Sequence, residues 1–239
     1  MLGTIIADIS KTRQPWTKHS LSAEGILSLA VSDWLLNGDQ ESETNLKGFL
    51  SEWKQKYLPE PGPYSYTNDN PILGAIPIGL WATDICEARQ TARFMAAAIY
   101  PTKLRMECTE AVATAVFMAY QGVDKGQIKT YLENEFGYDL EGDAPSESTG
   151  GNHRQIEQAL LTFLRNGTFR QTLNAVISNR ASVIIASISC ALAEAYHGIP
   201  FLIRRKTLKS LPDDIRHAVL QIGKRKESLK THKKPAFRP

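Results

Sequence analysis

The stretch "SNRASVIIASISCALAEAYHGIP", residues 178–200, decides how the chain folds. From Ala181 it is apolar nearly all round, which suits a helix enclosed by others rather than one lying on a surface. Ala186, Ser187, Ser189, Cys190, Ala191, Ala193 and Ala195 are small, so neighbouring helices can approach closely. Gly198 ends it and Pro200 bars its continuation. The run is too rich in Ala and Ser, and too soon interrupted by Glu194, to span a bilayer. The start of such a helix opens inward and is a natural place for an anion or a metal, yet residues 178–183 hold no carboxylate and one arginine, Arg180.

Helical periodicity extends outward from this segment in both directions. "SAEGILSLAVSDWLL" (22–36) sets Ile26, Ala30 and Trp34 along one stripe with Leu27, Val31 and Leu35 beside it, behind a Ser22 N-cap. Asp84-x-x-Glu87, Asp124-x-x-Gln127 and Thr168-x-x-Gln171 have the form of capping boxes. "ECTEAVATAVFMAYQG" stops at Gly122, "QIEQALLTFLRNG" is amphipathic, and Ser210-Leu211-Pro212-Asp213 opens a last helix. Strand signals are nearly absent. Two long connections remain, Asn37 to Gly79, with "TNLKGFLSEWKQKY" a short helix inside it, and Tyr138 to Asn152. The expectation is an all-α, single-domain compact helical bundle with Trp34, Trp81, Phe163 and Leu192 in its core.

Composition narrows the function. With 239 residues and 42% hydrophobic content the chain can bury a sizeable core. Three scattered cysteines and five dispersed histidines make neither a disulfide framework nor a zinc site, which suits a reducing, cytoplasmic setting. The opening "MLGTIIADIS" lacks the features of a signal peptide. Residues 223–239 carry +6 against +3 for the whole chain, so residues 1–222 carry −3. The expected organisation is a domain over 1–222 and a basic, disordered tail over 223–239 that solubilises the chain or contacts an acidic surface. Specific nucleic-acid binding is not expected, because the tail has no aromatic besides Phe237. Nor is a membrane, and no protein partner can be named. No Ser-His-Asp set, P-loop or dinucleotide fingerprint is present. His19, His153 and Asp33 have the placement of solvated residues, Cys190 that of inert core, and His197 that of a cation suited to a helix C-terminus.

In "ALAEAYHGIP", followed by "LKSLPDDIRHAVLQI", the chain resembles the end of the ADP-ribosylglycohydrolase family. "MLGTIIADI", "SAEGILSLAVSDWLL", "AIPIGLWATDICEARQTARFMAAAIYPT" and "IEQALLTFLRNGTFRQTLNAVIS" are similar to its other segments, in family order over residues 1–222. The resemblance implies an all-α enzyme that hydrolyses ADP-ribose linkages with two magnesium ions. It also implies a first metal motif Thr-Asp-Asp, where this chain has Ser22-Ala23-Glu24, and a second, Asp-x-Asp-Thr or -Ser, where it has Ala181-Ser182-Val183-Ile184. Asn179 and Arg180 replace the two glycines before the second motif, and Asp69-Asn70-Pro71-Ile72-Leu73-Gly74 replaces an implied Asn-Gly-small-small-Met-Arg substrate run.

Magnesium wants oxygen ligands in near-octahedral geometry, carboxylates usually among them. Of the four carboxylates implied, Glu24 alone remains, and Asp8 in the opening turn is a second candidate. Two carboxylates cannot clamp two ions. The expectation is therefore a relic pocket of Asp8, Ser22, Glu24, Asn70, Arg180 and Ser182, with no cofactor. Metal is left with Asp8 and Glu24 as weak candidate ligands. Arg180 either spans the pocket to Glu24 or Asp8 and replaces the metal charge, or points to solvent while Ser178 or Asn179 caps the helix. The corresponding function is a non-catalytic binding, interaction or regulatory module. The alternative is a hydrolase of ADP-ribosyl or related glycosidic bonds with a reduced or absent magnesium site.

Overall fold

The computed structural model describes residues 1–12, 21–58, 71–142 and 151–232, with backbone only for 11–12 and 224–232; His19, Asp69 and Asn70 lie outside it. The described chain is all-α. Its helices are α1 (Leu2–Thr12), α2 (Ala23–Asn37), α3 (Glu43–Tyr57), α4 (Ala75–Trp81), α5 (Ile85–Ile99), α6 (Lys103–Tyr120), α7 (Lys125–Phe136), α8 (Asn152–Arg165), α9 (Phe169–Ser178), α10 (Val183–His197), α11 (Phe201–Ser210) and α12 (Asp213–His232). A 3-10 turn, Pro71–Gly74, leads into α4. Among the described residues no helix is long and apolar enough to cross a membrane.

Two helices form the centre. α10 packs against α1, α6, α8 and α9, and α6 also holds α4 and α5. α10 is buried from Ile185 to Ala193, as its lack of a polar face requires. The small residues do what their size allows. A Cβ on Gly3 would come closer than 3.0 Å to the Cys190 carbonyl, so the α1 backbone lies directly on the α10 backbone. Glu194 Oε2 fixes this contact, accepting from the Met1 ammonium (2.5 Å) and from the Gly3 amide (2.8 Å). Trp34, Phe163 and Leu192 are fully buried and Trp81 nearly so, as expected.

Buried polar groups tie the outer helices in. Glu110 of α6, only 5% exposed, takes Arg89 Nε at 2.8 Å and Arg93 at 3.0 Å from α5. Arg89 also reaches Glu135 of α7. The Lys125 ammonium sits under the end of α8, donating to the Phe163 (2.8 Å) and Asn166 (2.7 Å) carbonyls at the helix C-terminus, where the next turn's amides are missing. On the far side, Asp214 of α12 accepts from Lys56 and Tyr57 of α3. Burial would raise the Asp214 pKa, but these donors outweigh it and hold the carboxyl below its usual range.

Several expectations need correction. The helix expected at "TNLKGFLSEWKQKY" is α3, but "PILGAIPIGLW", in the same connection, is the buried 3-10 turn and α4 rather than a loop. Pro77 is tolerated there because it falls in the first turn, where amides have no helical acceptor. Phe201–Ser210 forms a helix that the apolar pattern did not disclose, because nothing in it is fully buried. α12 continues past Gly223 to His232, across the expected boundary of a disordered tail. Asp33 accepts from Trp53 Nε1 at 2.8 Å, and the His153 ring stacks on Tyr138 at 4.3 Å, so neither is simply solvated. At His197 burial first, then the nearby Lys125 charge, lowers the pKa, which works against the expected cation at the helix end. The expected box at Asp124 closes on Gly126 N (2.8 Å), and the Glu87 carboxylate bonds Thr83 rather than Asp84.

The Gly3 contact makes a testable statement about sign. Gly3→Ala is expected to destabilise the protein by about 1–3 kcal/mol through overpacking, lowering Tm by several degrees. Gly48→Ala, in α3 with nothing within 4 Å of its added Cβ, is expected to stabilise by up to about 1 kcal/mol through helix propensity. Thermal unfolding of the two variants checks this.

Candidate functional site

The Asp8 corner is built from α1 and the start of α2. Asp8 is 3% exposed, and a carboxylate so placed must be hydrogen-bonded. Its Oδ2 accepts from the Ser22 amide (2.8 Å) and the Ser22 hydroxyl (2.9 Å). Ser22 Oγ in turn accepts from Gly25 N at 3.0 Å, which is the N-cap bond of α2. The chain of bonds therefore runs from an anion on α1 through a serine to a helix N-terminus, where negative charge is favoured. Gly25 completes it: any Cβ there would press on Asp8 Oδ2 at 2.5 Å. The capping pattern points to Ser22 and the resemblance to Glu24, but neither points to Gly25, whose role depends on what packs over it. Glu24 is half-buried in the first turn of α2, and among the described residues it makes no ion pair.

The start of α10 is closed in the same way. Ser182 Oγ accepts from Ile185 N at 3.3 Å, and Ser182 (φ −60°, ψ 164°) has nearly the backbone angles of Ser22 (φ −67°, ψ 164°). The helix thus begins at Val183, two residues later than the pattern from Ala181 suggested, and the cap is neither Ser178 nor Asn179. Those residues belong to the end of α9. Arg180 donates its amide to the Ile177 carbonyl and Ala181 to the Val176 carbonyl, the paired bonds of a Schellman closure. Arg180 is the one left-handed non-glycine among the described residues, with φ 49°. Ala181, following it, is buried in the core together with Val176, the apolar contact that accompanies this closure.

This geometry decides between the two readings of Arg180. It is exposed, and among the described residues no hydrogen bond or ion pair joins its guanidinium to Asp8, Glu24 or any other side chain. The bridging arrangement is not formed. The physical reason is that the backbone at residue 180 is committed to closing α9, while Asp8 is already held by Ser22. The structure therefore brings Asp8 and Ser22 into contact, keeps Glu24 in the adjoining first turn, and uses Arg180 and Ser182 for helix termination.

A pair of magnesium ions does not fit these residues. The α10 start offers the Ala181 methyl and the Val183 side chain where carboxylates would be needed, and Asp8 Oδ2 is already occupied by two protein donors. Among the described residues no group of three or more His, Cys, Asp or Glu could hold a metal ion. Cys190 lies deep in the core, where burial pushes its thiol up to about 12 and leaves no thiolate for chemistry. In comparisons with known proteins, no family model matches the chain and no curated protein matches it.

Arg180 gives a prediction that separates backbone from side chain. Arg180→Gly is expected to stabilise by about 0.5–1 kcal/mol, because glycine adopts the left-handed conformation without a Cβ penalty. Arg180→Ala is expected to be nearly neutral. Losses in both variants, measured by urea unfolding, would mean that the guanidinium makes a stabilising contact.

Proposed function

We propose that the chain is a non-catalytic relative of the ADP-ribosylglycohydrolases, its helical scaffold kept as a binding or interaction module. The observation that carries this reading is the state of the Asp8 carboxylate. It joins α1 to the α2 N-cap through Ser22, an arrangement that stabilises structure and leaves no pair of acids facing a ligand. The buried Ala181 supports the same reading, because an acid there would place an uncompensated charge in the core. Metal-assisted hydrolysis gains most of its rate from fixed charge around the reacting bond, and these corners supply little. The order of helix-forming segments along residues 1–222 supports the family assignment. The three free thiols, Cys86, Cys108 and Cys190, suit a reducing compartment such as the cytoplasm.

Calorimetric titration with ADP-ribose, with and without magnesium, run beside a hydrolysis assay on an ADP-ribosylated substrate, tests the proposal. The expected outcome is no turnover and no magnesium-dependent heat. Turnover abolished by EDTA would overturn it in favour of a hydrolase using Asp8 and Glu24.

A further inference from the structure

α11 is the least embedded of the ordered helices. It follows the C-terminal end of α10 after Pro200, and none of its residues is fully buried. Ile203, Thr207 and Leu208 face the body, half-buried, while Phe201 and Leu202 are each 71% exposed. The helix carries Arg204, Arg205, Lys206 and Lys209 and no acid. Among the described residues none of these four makes an ion pair. Beside it, Phe201, Arg204, Arg205, Leu208 and Lys209 form one wall of a groove of about 310 Å³ that Arg216 of α12 closes. Arg216 is paired with Asp213. The aromatic ring, the leucine and the stems of the basic side chains make the groove apolar, with the charged ends at its rim.

We infer that this groove docks an acidic segment of a partner protein, one large apolar side chain seated against Phe201 and Leu208 and carboxylates on either side meeting the guanidinium and ammonium groups. An apolar anchor in a pocket with charge at the rim is the arrangement that concentrates binding energy. Arg204 and Arg205 suit carboxylates, which they can bind through two parallel hydrogen bonds. Charge excludes a second copy of the same face, since a two-fold contact would set these cations against each other. The helix is also ill-suited to lie in a membrane surface. At 3.6 residues per turn Arg205 and Lys209 fall between Phe201 and Leu202, so no apolar stripe is free of charge. The groove is lined by residues of α11 and α12 alone and shares none with the Asp8 corner. The inference goes beyond the reading of the Asp8 corner and holds whether or not that corner has chemistry.

The test is fluorescence anisotropy at physiological salt with a short labelled peptide of glutamates around a central Leu-Phe pair, alongside its glutamine isostere and a glutamate-only peptide. The full chain is expected to bind the first peptide at least about tenfold more tightly than either control. Arg205→Glu with Lys209→Glu, and separately Phe201→Ser, are expected to weaken binding about tenfold or more with Tm unchanged, as befits exposed positions. Lys224→Glu with Lys226→Glu is expected to change it less than about twofold. Failure of the peptide to bind, equal binding of the controls, equal loss in the Lys224 and Lys226 variant, or Phe201-dependent adsorption to phosphatidylserine vesicles in place of peptide binding would each overturn the inference.

Discussion

The contact of Gly3 with the Cys190 carbonyl is the constraint on which the arrangement of the rest depends. α10 has no polar face and must be enclosed, and a helix can cross its backbone so closely only if both surfaces are nearly bare of side chain at the crossing. α1 meets that condition with glycine and α10 with its run of Ala, Ser and Cys. Glu194 then fixes the position of α1 along α10 through the Met1 ammonium and the Gly3 amide. Once α1 is so placed, Asp8 falls one helical stretch further along, against the first turn of α2, where Ser22 and Gly25 receive it.

The polar ties around this centre share one logic. Each buried ion or dipole meets donors or acceptors that would otherwise lack partners: Glu110 with two arginines, Lys125 with the α8 carbonyls, and Asp8 with a helix N-cap. Removing one partner of such a set leaves the other desolvated and unpaired, which costs more than the intact tie adds. The same logic explains the corner. Where the resemblance implies four acids, this chain has Ala23, Glu24, Ala181 and Val183, while the neighbouring Ser22 and Ser182 hydroxyls satisfy helix amides directly.

How far the sequence discloses all this varies with the kind of signal. The helices themselves, the Ser22 and Thr168 caps and the core aromatics are legible, because periodicity and capping are local. α11 is not, since Phe201 and Leu202 face solvent and none of its residues is fully buried, so its pattern carries little burial signal. The Pro71–Trp81 segment misleads for the opposite reason: two prolines and two glycines suggest a loop, yet both prolines sit where no amide is needed. Arg180 is misleading too. Its charge invites a bridge to Asp8, but its left-handed backbone, which no side-chain pattern announces, assigns it to the end of α9. Gly25 becomes informative only when Asp8 is seen to lie over it.

The corner thus joins the fold and the proposed loss of chemistry in one set of hydrogen bonds: the acid that would hold an ion holds a helix instead. The most direct test is thermal unfolding of the wild-type chain and Asp8→Asn in EDTA and in millimolar magnesium. The account predicts that magnesium leaves the wild-type Tm unchanged and that Asp8→Asn lowers it equally in both conditions. A rise in the wild-type Tm with magnesium that Asp8→Asn abolishes, equivalent to about 3 kcal/mol at a hundredfold excess over Kd, would contradict it.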